Sequence, residues 1–193
     1  MASSEVKPSP AATYVRAPTP AADGTAAEVV LRALLFLATL TSILVMVTSG
    51  QTRLVSVPGF PISIPLSAKF KDSPAFIYYV AVQSVVGLYS VISTAAAFSA
   101  LSRPTARSNL RLHLSLLDAV MLGLASSATG AAGGIAYVGF KGNSKVKWAK
   151  ICDDVDKFCR YVAVSLGISI VAAVLLLLLV GFSALSLHSR LRR

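Results

Sequence analysis

The sequence predicts an all-α membrane protein, a bundle of four transmembrane helices with both termini on the same side of the bilayer. The chain is 55% hydrophobic and its mean hydropathy is +0.72, values above those of ordinary soluble domains. Four apolar stretches are each long enough to cross a hydrocarbon core of about 30 Å as a helix rising about 1.5 Å per residue. None of them alternates apolar and polar residues as the strands of a membrane barrel do, so helices are expected. The predicted spans are at about residues 29–50, 75–101, 112–140 and 161–187.

The segment before the first span has the composition of a disordered tail. Residues 1–28 hold four prolines among alanine, serine and threonine, and such a segment buries too little apolar surface to order itself. It lacks the apolar core of a cleavable secretory signal, so we expect the first span to be the first anchor and the tail to stay cytosolic. Residues 188–193 are predicted to form a short basic cytosolic tail, which leaves residues 29–187 as one membrane domain.

Two ionisable residues lie inside the apolar stretches, where a charge at a helix centre is unfavourable by at least about 2.5 kcal/mol. Arg32 is three residues into the first span, and its long side chain can snorkel to the headgroups. Asp118 is six residues past Leu112 in the third span, too deep for a short side chain to reach water. We hypothesise an ion pair between Arg32 and Asp118. The alternatives are a snorkelling arginine, a protonated Asp118 bonded to serine or threonine of a neighbouring helix, and an ion-pathway carboxylate.

The third span carries small residues at steps of four and three, which place them on one side of a helix. We call these four residues, Gly123, Ser127, Gly130 and Gly134, the small-residue seam. Small residues let helix backbones approach closely in lipid, so the seam predicts tight packing, either inside the bundle or between protomers. The fourth span is rich in leucine and valine over residues 174–180 and is expected to face lipid or to pack loosely.

The loop between the third and fourth spans, residues 141–160, contains both cysteines of the chain, and we call it the cysteine loop. Two thiols in a wet loop favour a disulfide between Cys152 and Cys159 on an oxidising side of the membrane. In a straight helix they would be about 10.5 Å apart, beyond the limit of about 7 Å for bonded Cα atoms, so a bonded loop is not one helix. The alternatives are two reduced thiols or a metal pair, although His113 and His188 are both on the other side.

Composition and motifs exclude several classes of function. The net charge of +10 suggests nucleic-acid binding as one possible function. The basic residues are, however, divided equally, nine on each side of the predicted membrane, and they form neither a basic helix face nor a zinc motif. This equal division also leaves the orientation open, because the positive-inside rule needs a bias. Asp153, Asp154 and Asp156 are interleaved with Lys150 and Lys157, as in a solvated loop. No catalytic pattern accompanies them, so we expect no enzyme, no cofactor, no metal site and no nucleic-acid partner.

Several residues together carry a family resemblance. They are an intramembrane arginine, aromatic residues that open the second span, an intramembrane aspartate, and a glycine, tryptophan and cysteine pattern before the fourth span. Their positions are Arg32, Phe76, Tyr78, Tyr79, Asp118, residues 139–143, Trp148, Ile151, Cys152, Phe158 and Cys159. On these residues the chain resembles the Casparian strip membrane domain proteins and their wider plant family, over about residues 29–187.

The resemblance implies a tetraspan fold similar to that of MARVEL proteins, in the plasma membrane, with cytosolic termini and two extracellular loops. It also implies homo-oligomeric or hetero-oligomeric scaffolds, which in the strip-building members position wall-modifying machinery for lignin deposition. Two departures favour a general family member over a strip builder. Residues 56–62 lack the aromatic signature of the strip builders, and Val155 stands where the family often has an aromatic residue.

Two functions are compared on this basis. The leading one is a non-enzymatic scaffold that self-associates through its spans and organises cell-wall-modifying partners. The alternative is a small transporter or channel-like protein that uses Asp118 as an ion or proton site. The two outer loops hold nine basic and four acidic residues, so their expected partners are acidic cell-wall polymers or lipid headgroups, besides the bilayer itself.

Overall fold

The computed structural model describes residues 20–56, 63–101, 107–145, 148 and 150–191 of the 193-residue chain. In chain order the elements are α1 (Pro20–Val47), β1 (Gln51–Ser56), β2 (Ser63–Ala68), a 3-10 turn (Phe70–Asp72), α2 (Pro74–Leu101), α3 (Arg107–Lys141) and α4 (Asp156–Leu191). Among the described residues, four helices are long and apolar enough to cross a membrane: Ala26–Val47, Pro74–Ser99, Leu112–Lys141 and Asp156–Leu185. The predicted four-span helical fold is confirmed.

The first and last helices of the chain, α1 and α4, are longer than the sequence predicted. Helix α1 begins at Pro20, so residues 20–28, assigned above to a disordered tail, are helical. The reason is local, because proline is tolerated at the first helical position and the alanines that follow are strong helix formers. Helix α4 continues through residues 188–191, which were assigned to the basic tail. Residues 1–19 and 192–193 lie outside the described part of the chain.

The four helices form a ring in which α1 and α3 each pack between α2 and α4. Hydrogen bonds join Arg32 to Ser93 and Ser42 to Tyr79, so α1 and α2 run antiparallel. Leu35 and Leu176 fill the centre, and α3 contributes three fully buried alanines, Ala125, Ala128 and Ala132, which we call the alanine face. Because lipid is as apolar as leucine, close van der Waals packing and interhelical hydrogen bonds hold such a bundle together.

A β-hairpin connects α1 to α2, an element that was not predicted from the sequence within this otherwise helical fold. Strands β1 and β2 pair antiparallel, with Gln51 opposite Ala68 and Arg53 opposite Leu66. The sequence signal for the two strands is weak, because the apolar residues Leu54 and Val55 of β1 are adjacent instead of alternating and β2 contains Pro65. The departure noted at residues 56–62 lies almost wholly outside the described residues, which include Ser56 and continue from Ser63. We call the membrane side with this hairpin and the cysteine loop the hairpin face, and the opposite side the terminal face.

Candidate functional site

The structure brings together the two charged residues of the spans. Both Arg32 on α1 and Asp118 on α3 are 0% exposed. The arginine donates from Nη1 to Oδ1 at 3.1 Å and from Nη2 to Oδ2 at 3.0 Å. Two parallel bonds of this kind are typical of an ionised guanidinium–carboxylate pair. The snorkelling alternative therefore does not describe Arg32, whose head group lies inside the bundle.

Three further side chains surround this pair, and we call the five residues the charge network. Tyr89 on α2 donates to Asp118 Oδ1 at 2.7 Å. Ser93, one helical turn further along α2, accepts from Arg32 Nη1 at 2.7 Å. Glu28 accepts from Arg32 Nη2 at 3.4 Å within α1. The network joins three helices, and it pairs each buried charge with an opposite charge, as burial requires.

Sequence reasoning missed three members of the charge network. Glu28 precedes Arg32 by four residues, so the spacing that brings side chains together on a helix was a usable signal. Tyr89 and Ser93 have the same four-residue spacing on α2. That spacing shows that they share a helix face but not which neighbouring helix the face contacts.

The charge network leaves Asp118 little capacity for a further ligand. Three hydrogen bonds reach its carboxylate, two from Arg32 and one from Tyr89. A carboxylate has about four lone-pair positions in all. Within the described residues, no group of three or more His, Cys, Asp or Glu side chains is placed to hold a metal ion. The geometry therefore supports helix assembly better than ion binding.

A second set of polar side chains lies nearer the hairpin face and joins α1, α2 and α4. Its members, Ser42, Tyr79 and Ser165, are fully buried and form what we call the hydroxyl cluster. Tyr79 Oη lies 2.5 Å from Ser42 Oγ and donates to the Ser165 carbonyl oxygen at 2.9 Å. Ser165 Oγ donates to the Ser42 carbonyl oxygen at 2.8 Å. These bonds connect α4, which is otherwise mostly apolar, to the rest of the bundle.

Two side chains of this polar core hold buried atoms without a hydrogen-bond partner among the described residues, Arg32 at its Nε and Gln83 on α2 at its whole carboxamide. The Gln83 side chain is 0% exposed, and neither its carboxamide nitrogen nor its oxygen has a hydrogen-bond partner among the described residues. A buried unpaired amide is unfavourable by about 1–3 kcal/mol. Gln83 therefore destabilises this arrangement of the bundle.

The cysteine loop is closed by a disulfide. Cys152 and Cys159 are bonded with their Cα atoms 5.7 Å apart, as expected for a loop that is not one straight helix. Cys159 belongs to the first turns of α4 and Cys152 to the turn before it. The bond therefore links the loop directly to the fourth helix, and the predicted disulfide is confirmed.

The other family-motif residues of the cysteine loop divide between the core and the surface. Phe158 is buried and meets Phe76 of α2 edge to face, with ring centroids 6.1 Å apart. Val155, where the family often has an aromatic residue, is fully buried. Trp148 and Ile151 are exposed instead. Phe158 therefore packs the loop onto the bundle, whereas Trp148 and Ile151 remain open to the surroundings.

The small-residue seam faces away from the bundle. All four of its residues are exposed, and the alanine face lies on the opposite side of α3. A Cβ atom added at Gly123, Gly130 or Gly134 would meet nothing within 4 Å. Beside Gly130, a groove of about 540 Å³ runs between α3 and α4 and is lined mostly by apolar side chains such as Leu122 and Leu177. The seam therefore does not serve packing inside this bundle.

These features define a class of protein, a four-span membrane protein whose first and third helices share a buried ion pair and whose last connecting loop is closed by a disulfide. The model of the Casparian strip membrane protein domain matches residues 21–175. The chain belongs to this family, and the resemblance predicted from the sequence is confirmed.

Similar proteins from several plants carry related names. The chain is 51% identical to CASP-like protein 1D1 of Populus trichocarpa over 85% of this chain and 84% of that one. It is 53% identical to CASP-like protein 1D1 of Vitis vinifera, over 87% of this chain and 81% of that one. It is 50% identical to CASP-like protein 1D2 of Arabidopsis thaliana, over 82% and 80%. No solved structure matches the chain.

Proposed function

We propose that this protein is a non-enzymatic scaffold that self-associates in the membrane through the lipid-facing side of α3. One observation carries the proposal: the small-residue seam is exposed on the side of α3 opposite the alanine face. In lipid, helices associate where small residues allow their backbones to approach closely. The seam has no packing role within the described bundle, so a second copy is the partner that fits it.

The rest of the bundle is built to present that face rigidly. The charge network joins α1, α2 and α3, and the hydroxyl cluster joins α1, α2 and α4. The buried charges of Arg32 and Asp118 are paired within one chain, so a protomer does not need a second copy to neutralise them. Association then depends on surface packing, which suits a scaffold that assembles from preformed units.

We propose that the scaffold lies in the plasma membrane with both termini cytosolic and the hairpin face outside. The disulfide supports this orientation, because such bonds persist in oxidising compartments. By analogy with the family, the scaffold forms mixed oligomers with related members and organises cell-wall-modifying proteins. After mild reduction of intact cells, an impermeant thiol reagent should label Cys152 and Cys159. Labelling only after the cells are opened would reverse the orientation.

A transport function is the less favoured candidate. Asp118 is the only carboxylate predicted deep in a span, and three hydrogen bonds from Arg32 and Tyr89 already reach it. Opening this site to a passing ion would require the paired charges to separate inside the membrane. Ion or proton flux into vesicles that contain the purified protein, lost in Asp118→Asn, would favour transport over the scaffold.

Self-association is tested by one substitution in the seam and a matched control. Gly130→Leu adds a bulky side chain at the seam, where it has free space in the monomer. Gly167→Leu makes the same change on α4, at another exposed glycine where an added Cβ also meets nothing within 4 Å. Energy transfer between donor-labelled and acceptor-labelled copies in lipid vesicles should fall for Gly130→Leu and persist for Gly167→Leu. Equal transfer in both variants and the unchanged protein would refute the seam as the contact.

A further inference from the structure

The cysteine loop folds back onto the end of α3 instead of extending away from the bundle. The backbone nitrogens of Ile151 and Cys152 both donate to the carbonyl oxygen of Gly139, at 3.0 and 3.3 Å. Trp148 exchanges two backbone hydrogen bonds with Asn143, each of 2.9 Å. Gly139 is inside the span that ends at Lys141, about 3 Å from its end at the rise of a helix. Ile151 is therefore held at the level of the last turn of α3.

The geometry of this turn depends on one glycine. Gly142 has a φ of +67°, a conformation that side-chain-bearing residues rarely adopt. A Cβ atom there would lie 2.9 Å from the Trp148 carbonyl oxygen and 3.1 Å from Lys150 Cγ. Together with the disulfide to α4, this turn fixes the position of Trp148 relative to the membrane end of α3.

Large apolar side chains project outward from this fixed backbone. Trp148 is 59% exposed and Ile151 is 51% exposed. Tyr137 and Phe140, in the last turns of α3, and Tyr161, in the first turns of α4, are exposed at the same end of the bundle. Tryptophan and tyrosine concentrate at the membrane–water boundary, where a ring meets lipid and its polar edge meets water. Trp148 of the cysteine loop therefore joins the group of exposed aromatic side chains at this end of the bundle.

Basic side chains accompany the aromatic ones. Lys141 lies over the Phe140 ring at 5.8 Å, and Lys157 lies over the Tyr161 ring at 6.0 Å. Residues 141–160 contain six basic and three acidic residues. Among the described residues, none of these lysines has a salt bridge within the chain. Lipid phosphates lie at the same membrane level as interfacial tryptophan and tyrosine side chains, and they are anions of the kind that such lysines bind.

We propose that the cysteine loop is an interfacial membrane anchor, in which Trp148 and Ile151 insert among phospholipid headgroups on the hairpin face and the neighbouring lysines bind their phosphates. An acidic wall polymer is the competing occupant, since it offers the same negative charge. The position of the loop favours lipid, because hydrogen bonds hold its backbone beside the last turns of a membrane-spanning helix instead of extending it into water. This proposal does not depend on self-association through α3.

Trp148 is the only tryptophan of the chain, so the unchanged protein reports on the proposal by fluorescence. The experiment uses vesicles of phosphatidylcholine that carry a quencher either near the headgroup or deep in the acyl chain. We expect blue-shifted emission, several-fold stronger quenching by the shallow label than by the deep one, and weak quenching by aqueous iodide. Strong iodide quenching with no response to either lipid label would overturn the anchor.

A second variant calibrates the depth scale. Leu177 is exposed near the middle of α4, so Leu177→Trp combined with Trp148→Phe should respond most to the deep label. Adding phosphatidylglycerol should shift the Trp148 emission further to the blue, and Lys141→Gln combined with Lys157→Gln should reduce that additional shift. Emission that ignores lipid composition and changes only on addition of polygalacturonate would assign the surface to an acidic polymer instead.

Discussion

Neutralising Asp118 tests whether the charge network holds the bundle together. Asp118→Asn keeps the size of the side chain but removes the charge that faces Arg32 across two hydrogen bonds. Removing one partner of a buried ion pair destabilises a protein by about 3–5 kcal/mol, because the remaining charge stays buried and uncompensated. Glu28 lies 3.4 Å from Arg32 and retains part of the compensation. We therefore expect Asp118→Asn to lower the free energy of unfolding by about 3 kcal/mol, the lower end of that range.

A double-mutant cycle separates the pair from the effect of each single change. Arg32→Met and Asp118→Leu should each destabilise the protein, because each leaves one buried charge without its partner. The double variant removes both charges, and its stability should equal or exceed that of the unchanged protein, as is found when apolar residues replace buried ion pairs. The double variant leaves Tyr89 a second acceptor, the Leu114 carbonyl oxygen at 3.2 Å. It also leaves Ser93 its bond to the Ser90 carbonyl oxygen. No buried hydroxyl of the network is then orphaned.

The free energy of unfolding is measured on the purified protein in bicelles under reversible conditions, and unfolding is monitored by the loss of helical circular dichroism. Asp154→Asn serves as the control, because Asp154 is exposed on the cysteine loop and its replacement should change stability by no more than about 0.5 kcal/mol. Equal stability of Asp118→Asn and Asp154→Asn would refute the structural role of the pair. So would a double variant whose loss is the simple sum of the two single losses.

Two further changes test the polar core and the loop. Gln83→Met replaces the unpaired buried carboxamide with an apolar side chain of similar length, and it should raise the unfolding free energy by about 1–3 kcal/mol. A loss of stability would mean that the carboxamide is hydrogen-bonded. Gly142→Ala introduces a side chain at positive φ, so it should lower the unfolding free energy by about 1–2 kcal/mol and move the Trp148 emission toward the red. Unchanged emission would show that the turn does not position Trp148.

The parts of this structure that the sequence predicted are those in which single residues conflict with lipid. Arg32 and Asp118 were identified because a lone charge is too unfavourable in a membrane to lack a partner. Cys152 and Cys159 were identified because they are the only two thiols and share one loop. Tyr89 did not conflict with its surroundings in the same way, since a tyrosine in a span is unremarkable until its hydroxyl is seen to meet Asp118.

The sequence alone determined the class of the protein, because the length and polarity of each stretch decide whether it crosses a bilayer. It also determined that a charge pair and a disulfide were to be expected. Only the tertiary structure decided the rotation of α3, which turns the alanine face inward and the small-residue seam toward lipid. The reason is that both sides of α3 carry small residues, so composition does not distinguish the side that packs from the side that remains free. Contacts with α2 and α4 made that choice, and it is the choice on which the proposed assembly depends.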